Sequence, residues 1–182
     1  MNFDVLTKVP VWNNRLIRVQ DNVSEIKRAM LKTVTRQQQF LRAKVTRMKA
    51  EKASVDDLLK SLEDCLISDA SSNIVTKYKR FIDQIDSLVN LLFGLELKIE
   101  NYQNSGNSTN DADLWKNRLE EAILIQVIHD ETFNVIVNHL DASNQFLFRD
   151  QIKSKQKLIC ELRLVNQELY YLEMQLKILF MY

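Results

Sequence analysis

Tyr78, Phe81, Ile85, Leu88, Leu92, Leu95, Ile99 and Tyr102 alternate at three- and four-residue steps without a miss. On an α-helix that spacing gathers all eight side chains into one narrow seam, which must be covered by another helix. An apolar seam of this length commits a chain to helix-on-helix packing. It leaves few apolar residues for lining a ligand pocket.

The rest of the sequence supports the same class. Among 182 residues there are two glycines, Gly94 and Gly106, and one proline, Pro10. Folds rich in tight turns need many more of both. From Val11 to Phe93 neither occurs, so nothing in that span forces a break. The expected fold is all-α, a long coiled coil or extended helical hairpins.

Four helices are expected. The first runs from Trp12 to Ile67. Its seam begins with Trp12, Leu16, Val19, Val23, Ile26 and Met30. After a slip near Val34 and Gln37 it resumes as Leu41, Val45, Met48, Lys52, Val55, Leu59, Leu62 and Leu66. Such a helix would be roughly 80 Å long and needs a partner along its length. A break is expected in Ser68–Asn73, which is rich in capping residues. The second helix, Ile74–Tyr102, carries the opening seam, with Ile82, Val89, Leu91, Phe93 and Leu97 off it. That surplus implies a wide apolar stripe suited to a bundle. A polar loop is expected at Gln103–Asn110, including Ser108. A third helix follows over Ala112–Leu140, with Trp115, Leu119, Ala122, Gln126, His129, Phe133, Ile136 and Leu140 in register. After a break at Asp141–Asn144, the last helix spans Gln145–Phe180 and carries Leu162, Val165, Leu169, Leu172, Leu176 and Leu179. Phe146, Phe148, Tyr170 and Tyr171 are expected in the core. Residues 1–40 are expected to form a basic helical extension and 41–182 the main domain.

Charge is unevenly spread. Residues 1–52 hold twelve Lys and Arg against four acids, although the whole chain carries a net charge of only +1. A basic helix suits an acidic coiled coil, anionic lipid or nucleic acid, or is simply a solvated face. Aromatic and basic residues do not interleave as a single-strand stacking platform, so specific nucleic-acid recognition is not expected.

Catalytic chemistry is not expected, and neither is a cofactor or metal. His129 and His139, the only histidines, are ten residues apart, which is not the spacing of a helical metal pair. Glu120-Glu121 and Asp130-Glu131 are adjacent carboxylates that diverge around a helix. There is no phosphate-cradling glycine loop and no nucleophile elbow. Cys65 and Cys160 read as reduced, cytosolic residues, with Cys160 in or near a seam. No apolar run reaches the roughly 18 residues of a membrane span. MNFDVLTKVP does not have the form of a signal peptide. Asn22-Val-Ser and Asn107-Ser-Thr match the glycosylation pattern by chance in such a chain.

Two blocks carry a family likeness: KYKRFIDQIDSLVNLLFGLELKIEN at 77–101, and FNVIVNHLDASNQFLFRDQIKSKQKLICELR at 133–163, continuing to QLKILF at 175–180. They resemble the C-terminal Apx/Shroom domain 2 of the Shroom cytoskeletal proteins, in order and spacing, over roughly residues 40–180. The resemblance implies a segmented antiparallel coiled-coil dimer that binds the coiled-coil region of Rho-associated kinase. It implies an indirect link to actin and myosin II, a role in apical constriction and cell shape, and a cytoplasmic, junction-associated cytoskeletal location. It also implies a longer protein, with PDZ and actin-binding regions upstream. Carried over by position, the small residue, leucine and basic residue of the kinase-binding stretch fall on Gly94, Leu95 and Lys98. The C-terminal basic positions fall on Lys153, Lys155 and Arg163. The family usually has serine at the position of Gly94, arginine at that of Lys98, and often arginine at that of Asn101. Lys98, Lys153, Lys155 and Arg163 lie off the assigned seams and are expected to be solvated. The alternative reading is a purely structural coiled-coil subunit or spacer.

Overall fold

The computed structural model describes residues 9–105 and 109–181, with side chains at 22–68, 70–102 and 113–181. Among these residues there is no strand. Four helices follow in order: α1 (Val9–Asp69), α2 (Ser72–Ser105), α3 (Thr109–Val137) and α4 (Ala142–Met181). Each matches an expected helix, but the first two breaks are shorter than expected, and the third, at 138–141, is as long as expected but begins three residues earlier because α3 ends at Val137. Between α1 and α2 only Ala70 and Ser71 leave the helix. The Ile74 and Val75 amides bond back to Ser71 O, so the new helix starts at once. The loop expected at Gln103–Asn110 is helical at both ends, and Ser108 lies outside the described residues. Asp141 caps α4: its Oδ1 accepts the Asn144 amide at 2.9 Å.

The chain forms two compact units. Met1–Val45 with Val165–Tyr182 form one, and Thr46–Leu164 the other.

In the first unit Val34, Leu41, Val165 and Leu172 are buried. Arg42 pairs with Glu173 at 3.2 Å in an exposed position, an ion pair of small energetic weight. The described half of the first expected seam is not covered: Val23, Ile26 and Met30 are all at least half exposed. The slip also falls earlier than expected. Val34 sits on the later seam, so α1 buries Val34, Leu41, Met48, Val55 and Leu62 at unbroken seven-residue intervals. The register changes between Met30 and Val34.

The second unit holds the larger core. From Lys52–Asp86 to Leu59–Tyr78 the α1–α2 contacts run in opposite directions along the two helices. These two helices are therefore antiparallel. α3 returns against α2, with His129 beside Phe81 and Trp115 beside Lys98. α4 runs parallel to α2, from Phe148 beside Tyr78 to Arg163 at Asn90. Tyr78, Ile85, Leu59, Leu62, Leu66, Ile136 and Phe148 are among the most deeply buried side chains. The Tyr78 hydroxyl donates to Leu59 O at 2.5 Å, so the ring is buried without losing its hydrogen bond.

The opening seam is therefore a core seam over most of its length. Tyr78, Phe81, Ile85, Leu88 and Leu95 are buried; Leu92, Ile99 and Tyr102 are half-buried. On α4, Val165 and Leu172 are buried, while Leu162, Leu169, Leu176 and Leu179 are half-buried. Phe148 is in the core as expected. Phe146, Tyr170 and Tyr171 are not: Phe146 is 76% exposed, and both tyrosines are more than half exposed. They lie off the buried row 148–151–155–158–165–172, and a helix has only one face turned inward. Gln126, expected on the buried seam of α3, is exposed, whereas His129 is buried.

Candidate functional site

The four basic positions indicated by sequence, together with Gly94, separate into three environments. Lys155 is not on the surface. It is 4% exposed, and its ammonium lies 2.6 Å from Asp56 Oδ1 and 3.2 Å from Asp86 Oδ1. Lys52 completes the group, 3.0 Å from Asp56 and 2.9 Å from Asp86. Two lysines and two aspartates from α1, α2 and α4 thus neutralise one another beneath a polar cleft that Glu63, Tyr78 and Asp83 also line. Burial alone would raise the Asp56 pKa, but hydrogen bonds from Lys155 and Lys52 outweigh it and leave it lowered. Burial likewise works to lower the Lys52 pKa, and its bonds to Asp86 and Asp56 leave it raised. Both shifts favour the charged forms of Asp56 and Lys52. The expectation that Lys155 is solvated fails for a legible reason. Continued backwards from Leu162, the three-four alternation of α4 reaches Leu158, Lys155 and Gln151, so Lys155 stands on the seam itself.

Arg163 and Gly94 are brought together. The Arg163 guanidinium donates to Asn90 O on α2 and lies 5.9 Å from the Phe93 ring centroid. A Cβ at position 94 would be 2.5 Å from the guanidinium. Gly94 therefore serves as the floor on which this arginine lies, and Arg163 is half-buried and engaged. Serine at this position, as the resemblance has it, would move the guanidinium aside.

Lys98 and Lys153 are exposed. Lys98 Nζ sits 4.0 Å from the Trp115 ring centroid, in cation–π range, and Arg118 approaches the same ring at 5.1 Å. Lys153 borders a small cleft of about 190 Å³ between α3 and α4, with Arg149 and Asp130. His129 borders it too. Its ring stacks on Phe81 at 4.0 Å, and its Nε2 lies 3.2 Å from Phe81 O, so this nitrogen carries the proton and donates. Burial lowers the His129 pKa, against the hydrogen bond to Phe81 O and the nearby Asp130, so the ring is held neutral.

One feature of the surface was missed by periodicity. From Ala122 to Ile128 only Gln126 is polar, so apolar groups surround α3 on every side. Ala122 faces inward, but Ile123, Leu124, Ile125, Val127 and Ile128 are exposed. The run itself was the available signal: a helix apolar all round is one that is covered all round.

No family model matches this chain. It is similar to Protein Shroom2 of Xenopus tropicalis, 25% identical over 177 residues, which cover 87% of this chain. The chain spans about 10% of the length of that protein. Among the described residues no helix is long and apolar enough to cross a membrane.

Proposed function

We propose that this chain is a non-enzymatic cytoskeletal adaptor module. In this reading it assembles as a homodimer and binds the coiled-coil region of Rho-associated kinase, positioning the kinase to promote myosin II contractility and changes in cell shape. The observation that carries the reading is the likeness to Shroom2 over most of the chain.

In this reading the contact residues are those whose side chains are exposed. Lys98 and Lys153 are exposed basic groups that an acidic helix can reach without disturbing the core. Gly94 and Arg163 shape the α2–α4 surface beside Lys98 from within. Lys155 belongs to the core ion group and is not a contact.

The test is titration of a kinase coiled-coil fragment against the wild-type protein and the Lys98→Glu/Lys153→Glu variant. Reversal of charges in a desolvated interface should weaken binding at least tenfold, with the circular dichroism melt unchanged. Absence of binding by the wild type would overturn the kinase reading. Unchanged affinity in the variant would move the docking site elsewhere.

A further inference from the structure

In the unit that pairs the first part of α1 with the end of α4, each helix carries apolar residues besides those it buries. Leu41 and Leu172 face inward, and Arg42 pairs with Glu173. Arg42 and Glu173 each follow an inward leucine by one residue, so they mark one side of the helix pair. Phe40 and Tyr171, which precede those leucines, fall on the opposite side. At seven-residue intervals Ile26 and Thr33 continue that side on α1, and Ile178 continues it on α4. Ile26, Phe40, Tyr171 and Ile178 are all more than half exposed. The same stretch of α1 is basic. Between Ile26 and Val45 it has Lys27, Arg28, Lys32, Arg36, Arg42 and Lys44 and no acid. Arg36 and Lys44 stand one turn either side of Phe40. Two acids border this side: Glu25 beside Ile26, and Glu168 one turn before Tyr171. Among the described residues, Lys27, Arg28, Lys32, Arg36 and Lys44 have no ion-pair partner.

We propose that this side of the unit lies on an anionic lipid surface, with Ile26, Phe40, Tyr171 and Ile178 at the acyl boundary and the α1 cations among the headgroups. Charge distribution selects lipid over a partner helix. Arg36 and Lys44 flank the apolar side, but Arg28 and Lys32 turn away from it around α1. A partner helix answers only the charges that flank its seam. A charged surface attracts every cation within a Debye length, about 10 Å at 0.1 M salt, which is roughly the diameter of a helix. The apolar pattern points the same way. Thr33 stands where a seam for a third helix needs an apolar knob, whereas a lipid surface imposes no register. A nucleic acid would meet the cations but gain nothing from covering Ile26, Phe40 and Ile178. Tyr171, with an apolar ring and a polar tip, suits the headgroup level. The contact is one of lying on the surface, since no helix among the described residues can cross it. It is independent of the kinase reading, whose exposed contacts Lys98 and Lys153 belong to the other unit.

The experiment is sedimentation of the full chain with sucrose-loaded phosphatidylcholine vesicles, with and without phosphatidylserine. The wild type should bind the vesicles that contain phosphatidylserine at least about tenfold more tightly, and the difference should shrink as salt rises from about 0.1 to 0.5 M. Phe40→Ser/Ile178→Ser and Arg36→Glu/Lys44→Glu should each weaken that binding at least about tenfold. Their circular dichroism melts should not change, because none of the four side chains is buried. Glu168→Lys, which removes an acid from this side, should strengthen binding. Phe146→Ser, at an exposed apolar residue of the other unit, should leave it unchanged. Equal binding to both kinds of vesicle, or to neither, would overturn the proposal. So would binding that survives Phe40→Ser/Ile178→Ser, since the attraction would then be charge alone. A short DNA duplex is the second probe. A wild type that binds it as tightly as the phosphatidylserine vesicles, with Phe40→Ser/Ile178→Ser no weaker on either, is a general polyanion binder and overturns the lipid assignment.

Discussion

Lys153 and Lys155 lie two residues apart, on opposite sides of α4, and have opposite roles. Lys153 points to solvent, and Lys155 is enclosed by two aspartates of other helices. Lys155→Ala would leave Asp56 and Asp86 sharing only Lys52 in a partly dehydrated site. The expected loss is about 1.5–3 kcal/mol in urea unfolding, the range for charge-assisted hydrogen bonds, since both aspartates stay partly exposed and keep Lys52. Lys153→Ala should change stability by no more than about 1 kcal/mol. Equal midpoints for the two variants would contradict the burial assigned to Lys155. His129 supplies a pH effect with a definite sign. Its folded pKa lies below the ordinary value near 6.5, so the unfolded chain binds the proton more readily. Stability is full above about pH 6.5 and falls as pH drops through the folded value. Asp56, also lowered, adds a loss only as pH falls below about 4. Urea midpoints should therefore decline between pH 7 and pH 5 in the wild type. His129→Gln, which keeps a donor for Phe81 O, should remove most of that decline.

At the scale of the helix, the seams were legible in the sequence where they were followed to their ends. Tyr78 to Leu95 and Leu41 to Leu66 gave the buried faces because helical geometry leaves a strict three-four alternation only one face to occupy. The alternation could not say how tightly each position closes, because that depends on the facing helix. Ile85 is fully buried, whereas Leu92, two steps along the same seam, is half-buried beside a cleft that Gln126 and Cys160 also line. Ile85→Glu should therefore cost roughly 4 kcal/mol or more, and Leu92→Glu markedly less. Comparable thermal shifts would mean that the two positions share one environment. The candidate site was less legible. Periodicity treats Lys52 and Lys155 as interruptions and does not say which aspartates answer them, since those residues lie far apart in sequence. The outer face of α3 escaped because reading for one stripe overlooks a helix with two.

For the whole molecule, the apolar surface left open decides what to expect in solution. Val23, Ile26 and Met30 on α1 and Leu124, Val127 and Ile128 on α3 are exposed in one copy of the chain. Contiguous apolar patches on a soluble protein mark places where another surface sits. A chain whose folded form is covered by a second copy has a melting temperature that rises with its own concentration, because association draws on the folded state alone. At a concentration a hundredfold above the dissociation constant the added stability is about 2.7 kcal/mol. For a chain of this size that corresponds to a rise of roughly 5–10 °C over the dilute protein. Circular dichroism melts from about 1 to 100 µM check this: the wild-type midpoint should climb with concentration. If it stays level, the chain folds alone, and its apolar faces serve only partners of another kind.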